Sequence, residues 1–467
     1  MKVEQIYTGC LAEAAYYIES KGEAIIIDPL RETDQYIEKA EGDGAKIKYV
    51  LETHFHADFV SGHLDLAKKT GATIVFGPTA SPKYDVHVAT DGEILEVGDI
   101  KIKVLHTPGH TMESSCFLLI DEEGKEKAIF TGDTLFIGDV GRPDLAIKSN
   151  VTREDLAGFL FDSLRNKVMT LPDELTVYPG HGAGSACGKN MSKETTDTLG
   201  NQKNFNYALR ANMTKEEFVK EVTTGLVDPP QYFPKNAMLN KLGYESFEDV
   251  MEKGSTPLSP AKFEDVVNAE GAVMIDTRNK EAFRDGHIPN SIFVGLDGSY
   301  AVWVGTLITD INQPIVIIAD EGREEEAVMR LSRVGYDNTL GYLEGGIEAW
   351  KNAGKELSVI PQVSAEEMAE IFDDSLNVLD VRKKSEYDSE HVVGFEVFPL
   401  DLINKNMNQI DKTKHYYLHC QSGYRSMIAA SILASRGYEV TDIAGGFEAL
   451  TKTSLECTEY VCPSTLL

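Results

Sequence analysis

A weak internal repeat in the second half of the 467-residue chain most constrains how the chain can fold. The segment VMIDTRNKEAFRDGHIPNSIFVGL matches VLDVRKKSEYDSEHVVGFEVFPL, so that Asp276 aligns with Asp380 at a spacing of 380 − 276 = 104 residues. Further along, YLEGGIEAWKNAG matches DIAGGFEALTKTS. Two copies are too few for a solenoid, which needs about three repeats or more. The repeat therefore predicts two tandem domains.

The residues before the repeat are numerous enough for a third domain, because domains typically contain about 100 to 200 residues. The stretch MEKGSTPLSPAKF marks a linker through its Pro, Gly and Ser residues. We therefore predict a multidomain α/β protein with domains at 1–250, 251–358 and 359–467. Short strands alternate with helical patterns in the first domain, which indicates a layered α/β block. In the two copies, apolar strands such as PIVIIAD and HYYLHC predict mainly parallel sheets covered by helices.

The composition argues against several classes of partner. Apolar residues make up 42% and charged residues 26% of the chain, the balance of a soluble globular protein. The formal net charge of −30 argues against nucleic acids and anionic membrane surfaces, because binding to them needs clustered Lys and Arg. We expect neither secretion nor membrane insertion, since the start MKVEQIYTGCLAEAAYYIES has no basic leader and no apolar run reaches about 18 residues. Six scattered cysteines indicate free thiols in a reducing cytoplasm: Cys10, Cys116, Cys187, Cys420, Cys457 and Cys462.

Histidine and aspartate side chains follow several predicted strands of the first domain, in the motifs HFHAD, TPGH, TGD and PGH. Strand ends that carry loops on one side of a layered domain can bring distant residues onto a single ion. A lone histidine is more often structural, but four such motifs in this order predict a metal site. The residues concerned are His54, His56, Asp58, His110, Asp133 and His181.

The ligand set leaves two chemistries open. Binding by His54, His110 and Asp133 alone would give the 2-His-1-carboxylate face of non-haem Fe(II) oxygenases. Additional binding by His56 would give a histidine-rich zinc site for hydrolysis. Spacing along the chain does not separate the two.

A second candidate site lies in HYYLHCQSGYRSMIAASILASRG of the last domain. A predicted strand ends at Cys420, a tight loop containing Gly423 follows, and an amphipathic helix begins near Ser426. Backbone N–H groups of such a loop converge at the helix N-terminus, where they favour an anion and hence a reactive thiolate. Arg425 adds a fixed positive charge. This placement predicts that Cys420 is a nucleophile.

The middle copy lacks this chemistry. Its corresponding segment is PIVIIADEGREEEAVMRLSRVG, in which we expect Asp320 at the position of the cysteine and a shortened loop. Four acidic residues of this segment oppose anion binding: Glu321, Glu324, Glu325 and Glu326. We expect this domain to be catalytically inactive and to serve as a spacer or dimerisation surface, with a residual ligand-binding role as the alternative.

The motifs THFHAD, HTPGHT, FTGDTLF and VYPGHG resemble those of the metallo-β-lactamase fold, an αβ/βα sandwich. Within that superfamily, the two-metal glyoxalase II type has a histidine where this chain has Phe59, so the resemblance implies an empty or very weak second site. HFHADF followed by GDVGRPDL is similar to the persulfide dioxygenase branch, which oxidises the outer sulfur of a thiol persulfide to sulfite with O2. That branch implies one Fe(II) per chain.

The resemblance implies three iron ligands, His54, His110 and Asp133. It implies that His56 and Asp58 lie around them as residues that orient the ligands through hydrogen bonds.

Three more residues near these motifs have two interpretations each. His181 is either a relic of the second site or a structural histidine. Arg142 either pairs with Asp144 or holds a substrate carboxylate, and we favour the pairing. Cys187, in the glycine-rich GHGAGSACGKN, is expected in a flexible loop close to the metal. It is either a sulfur-accepting or gating thiol or an inert exposed one.

The thiol loop of the last domain is tighter than that of the cysteine phosphatases, because Cys and Arg are separated by only 425 − 420 = 5 positions. Together with the DVR and GGFEA motifs, it resembles the rhodanese sulfurtransferases, in which a cysteine carries a persulfide sulfur. The resemblance implies that Cys420 carries sulfane sulfur. It also implies a sulfur-cradling loop made of Gln421, Ser422, Gly423, Tyr424 and Arg425.

The whole chain resembles the persulfide dioxygenase–rhodanese fusion proteins. The implied partners are O2, thiosulfate or sulfite, and the persulfide of glutathione, coenzyme A or another low-molecular-weight thiol. A homo-oligomer is also expected. Two alternatives stay open: a zinc-dependent glyoxalase II-like thioester hydrolase with an accessory sulfur-carrier domain, and a non-enzymatic sulfide-sensing scaffold.

Overall fold

The computed structural model describes residues 1–145, 151–373 and 375–462 of the chain. These residues form two compact units. One unit contains the described residues of Met1–Phe247 together with Ser332–Gly335, and the other contains Glu248–Leu331 and the described residues from Tyr336 onward. Among the described residues, no helix combines the length and the apolar character that crossing a membrane would need.

The first unit is built on two six-stranded sheets. The strands of the first sheet lie in chain order: β1 (Lys2–Thr8), β2 (Glu13–Ser20), β3 (Glu23–Ile27), β4 (Lys46–Glu52), β5 (Thr73–Phe76) and β6 (His87–Val88). The strands of the second sheet also lie in chain order: β7 (Ile94–Val97), β8 (Ile100–His106), β9 (Ser115–Ile120), β10 (Glu126–Gly132), β11 (Thr176–Pro179) and β12 (Asp197–Thr198). Strand pairs β3–β4, β4–β5, β5–β6 and β10–β11 are parallel, and the other neighbouring pairs are antiparallel.

Helices cover both sheets of the first unit. They are α1 (Asp34–Gly42), α2 (His63–Thr70), α3 (Arg153–Ser163), α4 (Leu199–Phe205), α5 (Lys215–Thr223) and α6 (Phe233–Leu242). The next helix, α7 (Phe247–Gly254), belongs to the second unit from Glu248 onward. A π-helical turn, Leu164–Val168, continues α3, and a 3-10 turn, Tyr207–Leu209, follows α4. Helix α3 begins after Thr152, whose side chain accepts a hydrogen bond from the Asp155 N–H in a capping box.

Alternation of side chains along the strands gives each sheet two apolar faces. In β2, Ala14, Tyr16 and Ile18 join a core shared with β9 and β10 of the other sheet, whereas Ala15 and Tyr17 pack with α1 and α2. The outer face of the second sheet packs against α3 and α5. The two sheets therefore lie face to face with helices outside, which confirms the predicted αβ/βα sandwich.

The second unit contains two five-stranded sheets. The strands of the first are β13 (Pro257–Leu258), β14 (Val273–Asp276), β15 (Ile292–Phe293), β16 (Ile315–Ile318) and β17 (Thr339–Leu343). The strands of the second are β18 (Gln362–Val363), β19 (Asn377–Asp380), β20 (Glu396–Val397), β21 (His415–His419) and β22 (Glu439–Ile443). The spatial orders, β13–β17–β16–β14–β15 and β18–β22–β21–β19–β20, are equivalent, and all neighbouring pairs are parallel. The parallel sheets predicted from the repeat are confirmed.

Each copy has its own helices and its own core. The helices are α8 (Pro260–Glu270), α9 (Lys280–Asp285), α10 (Tyr300–Leu307), α11 (Glu324–Ser332) and α12 (Gly346–Asn352) in the middle copy, and α13 (Ala365–Ile371), α14 (Lys384–Ser389), α15 (Ile403–Asn406), α16 (Tyr424–Ser435) and α17 (Gly446–Leu450) in the last copy. The 3-10 turns Leu400–Leu402 and Met407–Gln409 flank α15. Phe263 and Trp350 pack with β16 in one core, and Met368 and Phe447 pack with β19 in the other.

The aligned DTR and DVR motifs form the same buried ion pair in both copies. Arg278 Nη2 lies 2.6 Å from Asp276 Oδ2, and Arg382 Nη2 lies 2.6 Å from Asp380 Oδ2. In each copy the same guanidinium also donates to a backbone carbonyl eight residues further along the chain. All four side chains are buried, so each charge needs its partner. The repeated motif is therefore structural.

Arg382→Gln should lower the free energy of unfolding of the second unit by about 3 to 5 kcal/mol, because the Asp380 carboxylate would stay buried without its partner. Adding Asp380→Asn should recover part of this loss. Urea unfolding followed by circular dichroism measures both changes. Lys384→Gln, which breaks an exposed ion pair with Asp388 on α14, is the control and should change the free energy by less than about 1 kcal/mol. An equally small effect of Arg382→Gln would contradict the structural role.

Candidate functional site

Three of the predicted metal ligands converge at strand ends of the first unit. His54 follows β4 of the first sheet, whereas His110 and Asp133 follow β8 and β10 of the second sheet. His54 Nε2 lies 3.9 Å from Asp133 Oδ2, and His110 Nε2 lies 3.4 Å from the same oxygen. The ligand atoms of all three lie within 4.8 Å of one another. One ion could contact all three, because bonds from a metal to nitrogen or oxygen are about 2 Å long.

The Asp133 carboxylate indicates that a cation belongs between these residues. Asp133 is 2% exposed, and within the described residues neither of its oxygens has a hydrogen-bond partner. A buried carboxylate without compensation is strongly unfavourable. Burial lowers the pKa of His54 well below its usual range, and His56 and His110 lower it further, so the His54 imidazole is neutral. A carboxylate and a neutral imidazole are ligands that divalent transition metals bind, so the residues fit a metal ion.

Hydrogen bonds on the far side of each imidazole orient the two histidines. His110 Nδ1 donates to the Arg142 carbonyl oxygen at 2.9 Å. His54 Nδ1 lies 3.0 Å from Thr53 Oγ1, which donates its own proton to Asp28 Oδ2. The Thr53 oxygen is therefore the acceptor for His54. Both imidazoles present Nε2 to the shared carboxylate, as metal-binding histidines do when their other nitrogen is held by a hydrogen bond.

His56 lies beside these ligands but is held by other carboxylates. Its Nε2 lies 3.1 Å from Asp28 Oδ1 and 3.6 Å from Glu52 Oε2. Burial lowers the pKa of His56, but Asp28 and Glu52 outweigh burial and raise it to about 10. These distances favour His56 as a partner of Asp28 and Glu52 rather than as a ligand of an ion at Asp133.

His56, Asp58 and His181 also bring ligand atoms within 4.8 Å of one another. His181 Nε2 lies 3.2 Å from Asp58 Oδ2 and 3.5 Å from Asp133 Oδ1. Its Nδ1 donates to the Ala12 carbonyl oxygen at 3.1 Å, so that Nε2 faces the two carboxylates. Asp58 thus contacts His181. His181 in turn lies near Asp133 Oδ1, whereas His110 lies near Asp133 Oδ2.

Phe59 limits what this second set can bind. Its side chain is fully buried, and its ring lies against His56 with ring centroids 4.3 Å apart. An apolar ring supplies no ligand atom, so the set has one ligand fewer than it would with a histidine at this position. One of the three remaining ligands, His56, is already engaged by two acids.

A residue that sequence analysis missed holds the HFHADF loop in place. Asn240 of α6 is buried, and its side-chain nitrogen donates to the carbonyl oxygens of His56 and Phe59, both at 2.8 Å. Its side-chain oxygen accepts from the Ser61 N–H at 2.9 Å. Asn240 lies 184 residues after His56, so no local pattern in the sequence connects the two.

Arg142 is a structural residue, as predicted. Its Nε lies 2.6 Å from Asp144 Oδ1 and its Nη2 lies 2.7 Å from Asp144 Oδ2, which confirms the predicted pairing. Its guanidinium also donates to the Ala186 carbonyl, and its backbone N–H donates to the Cys187 carbonyl at 3.0 Å. Arg142 therefore connects the His110 loop with the Cys187 loop.

Cys187 is buried beside the metal ligands. It is 1% exposed, and its Sγ lies within 4.8 Å of ligand atoms of Asp133 and His181. Its N–H donates to Ser185 Oγ and its carbonyl accepts from Arg142, so hydrogen bonds hold this part of the loop. The expected exposure of this thiol is wrong, because the loop turns it inward, whereas its chemical inertness stays a prediction.

Cys420 lies in the loop between β21 and α16, as predicted. It is 1% exposed, and its Sγ accepts a hydrogen bond from the Gly423 N–H at 3.1 Å. Gly423 has a φ of 101°, which favours glycine, and directly precedes α16. The Cys420 carbonyl accepts from the Phe447 N–H at 2.7 Å, which holds the loop at its base. The sulfur therefore faces the N-terminus of a twelve-residue helix, where negative charge is stabilised.

Side chains of this loop have partners away from the sulfur. Arg425 forms a two-point ion pair with Glu386 at 2.6 and 2.8 Å. Tyr424 donates its hydroxyl proton to the Gly295 carbonyl of the middle copy at 2.7 Å. Gln421 Nε2 lies 3.4 Å from a glutamate of α17. The Arg425 guanidinium is thus held by Glu386. The hydrogen bond to the Cys420 sulfur comes from the backbone N–H of Gly423.

Strand pairing corrects the alignment of the two copies. Residues Ile318 and His419 pair with the aspartates of the DTR and DVR motifs, respectively, so they occupy equivalent positions. The next residue, Ala319, therefore lies at the position of Cys420, and the prediction of Asp320 there is wrong by one residue. Helix α11 begins one residue later than α16 relative to this position, so the loop is not shortened. The error arises because an apolar strand such as PIVIIAD has no alternation that marks its last residue.

The middle copy lines part of the cavity beside Cys420, so it is more than the spacer that we expected from its sequence. A cavity of about 330 Å³ lies beside the Cys420 loop, and Gly298, Ser299 and Trp303 of the middle copy line it together with that loop. Nothing in the local sequence pattern of these three residues relates them to the loop, so they could not be predicted as part of the site.

Known protein families match both units of the chain. A family model described as the metallo-beta-lactamase superfamily matches residues 8–181, and a model described as the rhodanese-like domain matches residues 259–353 and 364–453. A solved metallo-beta-lactamase structure from Staphylococcus aureus subsp. aureus COL is 33% identical with a TM-score of 0.64, and the match covers 74% of this chain and 98% of that chain. The chain belongs to the metallo-beta-lactamase superfamily. Its second unit consists of two rhodanese-like domains, the first without a cysteine at the position of Cys420.

Curated relatives of the metallo-beta-lactamase domain carry hydrolase names. A hydroxyacylglutathione hydrolase of Pelagibacter ubique is 32% identical over 178 residues, which cover 37% of this chain and 68% of that protein. A probable hydroxyacylglutathione hydrolase of Schizosaccharomyces pombe is 29% identical over 250 residues, which cover 48% of this chain and 91% of that protein. Each match covers less than half of this chain.

The purified protein should hold about one metal ion per chain, because His54, His110 and Asp133 form one ligand set and Phe59 supplies no ligand to the set around His181. Asp133→Ala should lose the metal, since it removes the anionic ligand of that set. Elemental analysis after dialysis measures both. Asp58→Asn is the matched control, because it alters the set around His181 and should keep about one ion. Two tightly held ions in the unaltered protein, one of them lost in Asp58→Asn, would contradict a mononuclear centre.

Proposed function

We propose that the metallo-beta-lactamase domain is a non-haem iron dioxygenase that oxidises low-molecular-weight thiol persulfides to sulfite, and that the last domain is a sulfurtransferase acting through Cys420. The observation that carries the dioxygenase is the ligand set of His54, His110 and the unpaired carboxylate of Asp133. Two imidazoles and one carboxylate with open positions are the ligand set of non-haem Fe(II) oxygenases. His56, which a histidine-rich zinc site would use, is instead engaged by acids.

Ferrous iron, when bound, would supply the chemistry that activates O2. The residues of the chain bind and orient it. Thr53 and the Arg142 carbonyl hold the Nδ1 atoms of His54 and His110, so that each ring keeps its Nε2 toward the carboxylate. The ligands are nearly inaccessible to water, with Asp133 at 2% and His110 at 1% exposure. Such burial limits side reactions of reactive species with water.

The proposed overall reaction converts a thiol persulfide, O2 and water into the free thiol, sulfite and two protons. The S–S bond of the persulfide breaks, its outer sulfur is oxidised, and O2 is reduced. Glutathione, coenzyme A or another low-molecular-weight thiol is the proposed carrier. Cys10, Cys116, Cys187, Cys420 and Cys457 are free thiols, which agrees with the proposed location in a reducing cytoplasm. We further propose a homo-oligomer without nucleic-acid or membrane partners.

In the proposed transfer, the Cys420 thiolate attacks the outer sulfur of thiosulfate. The S–S bond of thiosulfate breaks, sulfite leaves with its electron pair, and the sulfane sulfur stays on Cys420 as a persulfide. The Gly423 N–H, which lies 3.1 Å from Sγ, and the N-terminus of α16 support the negative charge on sulfur. The reverse step joins sulfite to the bound sulfur and releases thiosulfate, so the two domains could pass sulfur in either direction.

A zinc-dependent thioester hydrolase with an accessory sulfur carrier is the second candidate function. The hydroxyacylglutathione hydrolase names of the curated relatives favour it. The close approach of His56, Asp58 and His181 also supports a second ion. Phe59 argues against it, because it contributes no ligand to that set. A non-enzymatic sulfide-sensing scaffold is a third candidate, which the clustered metal ligands and the helix-capped thiol disfavour.

Cys187 is proposed to accept sulfur or to gate the metal site, because it is buried beside Asp133 and His181. Cys187→Ser should therefore change the ratio of sulfite to thiosulfate formed from glutathione persulfide, as measured by chromatography of the labelled products. Cys116→Ser is the control, since Cys116 is equally buried but lies in β9 against Thr107. The same ratio in both variants would indicate that Cys187 is chemically inert.

The iron-loaded protein should take up O2 when supplied with glutathione persulfide, release sulfite, and leave S-lactoylglutathione intact. Cys420→Ser should abolish sulfur transfer from thiosulfate to cyanide while O2 uptake stays largely unchanged, because the iron ligands are not altered. His110→Ala should have the reverse effect. An oxygen electrode and a colorimetric thiocyanate assay measure the two activities.

Other outcomes would select other functions. Thioester hydrolysis with bound zinc and no O2 uptake would support the hydrolase, and the absence of both activities would support the scaffold. Loss of O2 uptake in Cys420→Ser, with iron still bound, would show that the two sites form one obligatory relay.

A further inference from the structure

We infer that the middle rhodanese-like domain provides the binding wall for the organic thiol that exchanges sulfur with Cys420, with Trp303 as the specificity-determining residue. This inference rests on the proposed sulfurtransferase activity of the last domain. It gives a function to a domain that has no nucleophile of its own, since Ala319 occupies the position equivalent to Cys420.

The cavity beside Cys420 is much larger than an inorganic sulfur donor needs. Its volume is about 330 Å³, which corresponds to about ten water molecules at ~30 Å³ each. This volume is within the range of about 300 to 1,000 Å³ found for small-molecule sites. A thiosulfate or sulfite ion would fill a small part of it. An organic thiol could place its sulfur at Cys420 and still have cavity surface for the rest of the molecule.

The middle domain's part of the cavity wall comes from the start of α10 and the residues before it. The cavity is lined by Gly298, Ser299 and Trp303. The backbone N–H of Trp303 donates to the Ser299 carbonyl at 2.9 Å in the first turn of the helix. Trp303 is half-buried, so part of its indole is free to contact a ligand. Aromatic rings make favourable contacts with apolar and sulfur-containing groups. Ser299 is exposed and adds a hydroxyl group that can donate or accept.

Direct contacts hold the middle domain against the thiol loop. Lys280 Nζ donates to the Ser422 carbonyl at 2.7 Å, and the Tyr424 hydroxyl donates to the Gly295 carbonyl at 2.7 Å. Gly298 permits the approach, because a Cβ at this position would lie 2.4 Å from the Tyr424 ring. The wall and the nucleophile are therefore held in one arrangement, which a binding site for a small molecule needs.

The transfer step at this wall is balanced without an external oxidant or reductant. The thiolate of the organic thiol attacks the outer sulfur of the Cys420 persulfide, and a new S–S bond forms. The bond between that sulfur and Cys420 Sγ breaks with its electron pair left on Sγ, where the Gly423 N–H donates a hydrogen bond. The product is the persulfide of the organic thiol, the substrate class proposed for the metallo-beta-lactamase domain.

Two acceptors of different size test the wall. Both receive sulfur from thiosulfate through Cys420, but glutathione needs the cavity surface and cyanide does not. Trp303→Ala should lower kcat/KM for glutathione relative to kcat/KM for cyanide by about tenfold, mainly through a higher KM for glutathione. Trp303→Phe should restore most of the ratio, because it keeps an aromatic surface. Trp350→Phe is the matched control, since the other tryptophan of the chain packs in the core of the same domain and should leave the ratio unchanged.

A binding measurement gives a second readout that does not depend on turnover. In the full chain carrying Trp350→Phe and Cys420→Ser, Trp303 is the sole tryptophan and no sulfur can be transferred. Glutathione should change the fluorescence of Trp303 with saturation, whereas cyanide at the same concentration should not.

The two readouts separate the inference from the function on which it rests. A complete lack of transfer to both acceptors in the unaltered protein would contradict the sulfurtransferase, and the fluorescence titration would still decide whether the thiol binds at Trp303. An unchanged ratio of the two acceptors in Trp303→Ala, or fluorescence that does not respond to glutathione, would overturn the inference.

Discussion

The buried carboxylate of Asp133 is the constraint on which the metallo-beta-lactamase domain depends. Within the described residues its oxygens have no hydrogen-bond partner, and imidazole nitrogens of His110, His181 and His54 lie 3.4, 3.5 and 3.9 Å from them. An isolated buried charge is strongly unfavourable, and a metal ion held by these nitrogens would compensate the carboxylate. The two sheets make the arrangement possible, because they bring loops from β4, β8 and β10 to the same place. A second layer of hydrogen bonds, from Thr53 and Arg142, then determines which nitrogen each histidine presents.

The two rhodanese-like domains show how one scaffold can carry different functions. Both contain the same buried Asp–Arg ion pair and the same order of parallel strands, so the framework does not depend on the thiol. The copies differ at the residue that follows the central strand, which is Ala319 in one copy and Cys420 in the other. Once a copy has lost its nucleophile, its surface is free to take another role. The placement of Trp303 beside the cavity of the active copy supports such a role.

The proposed activities are chemically connected. The iron site would consume a thiol persulfide and release sulfite, and the Cys420 site would form or consume the same persulfide and exchange sulfur with sulfite or thiosulfate. Each domain would thus handle a product of the other. Cys187, buried beside Asp133, is a third thiol in a position to take part in this chemistry.

Sequence alone determined the fold class and the His and Asp residues that cluster after strand ends of the first unit, because these depend on local patterns. A His or Asp directly after an apolar run marks the end of a strand. Strand ends on one side of a layered domain lie close together. Contacts between residues far apart in the sequence were decided only by the tertiary structure. Asn240 holds the His56 loop from 184 residues away, and Trp303 reaches the Cys420 cavity through packing between two copies. The position of Ala319 depended on strand register, since a uniformly apolar strand can shift by one residue without a change in its pattern, and only hydrogen bonds to its neighbours settle where it ends.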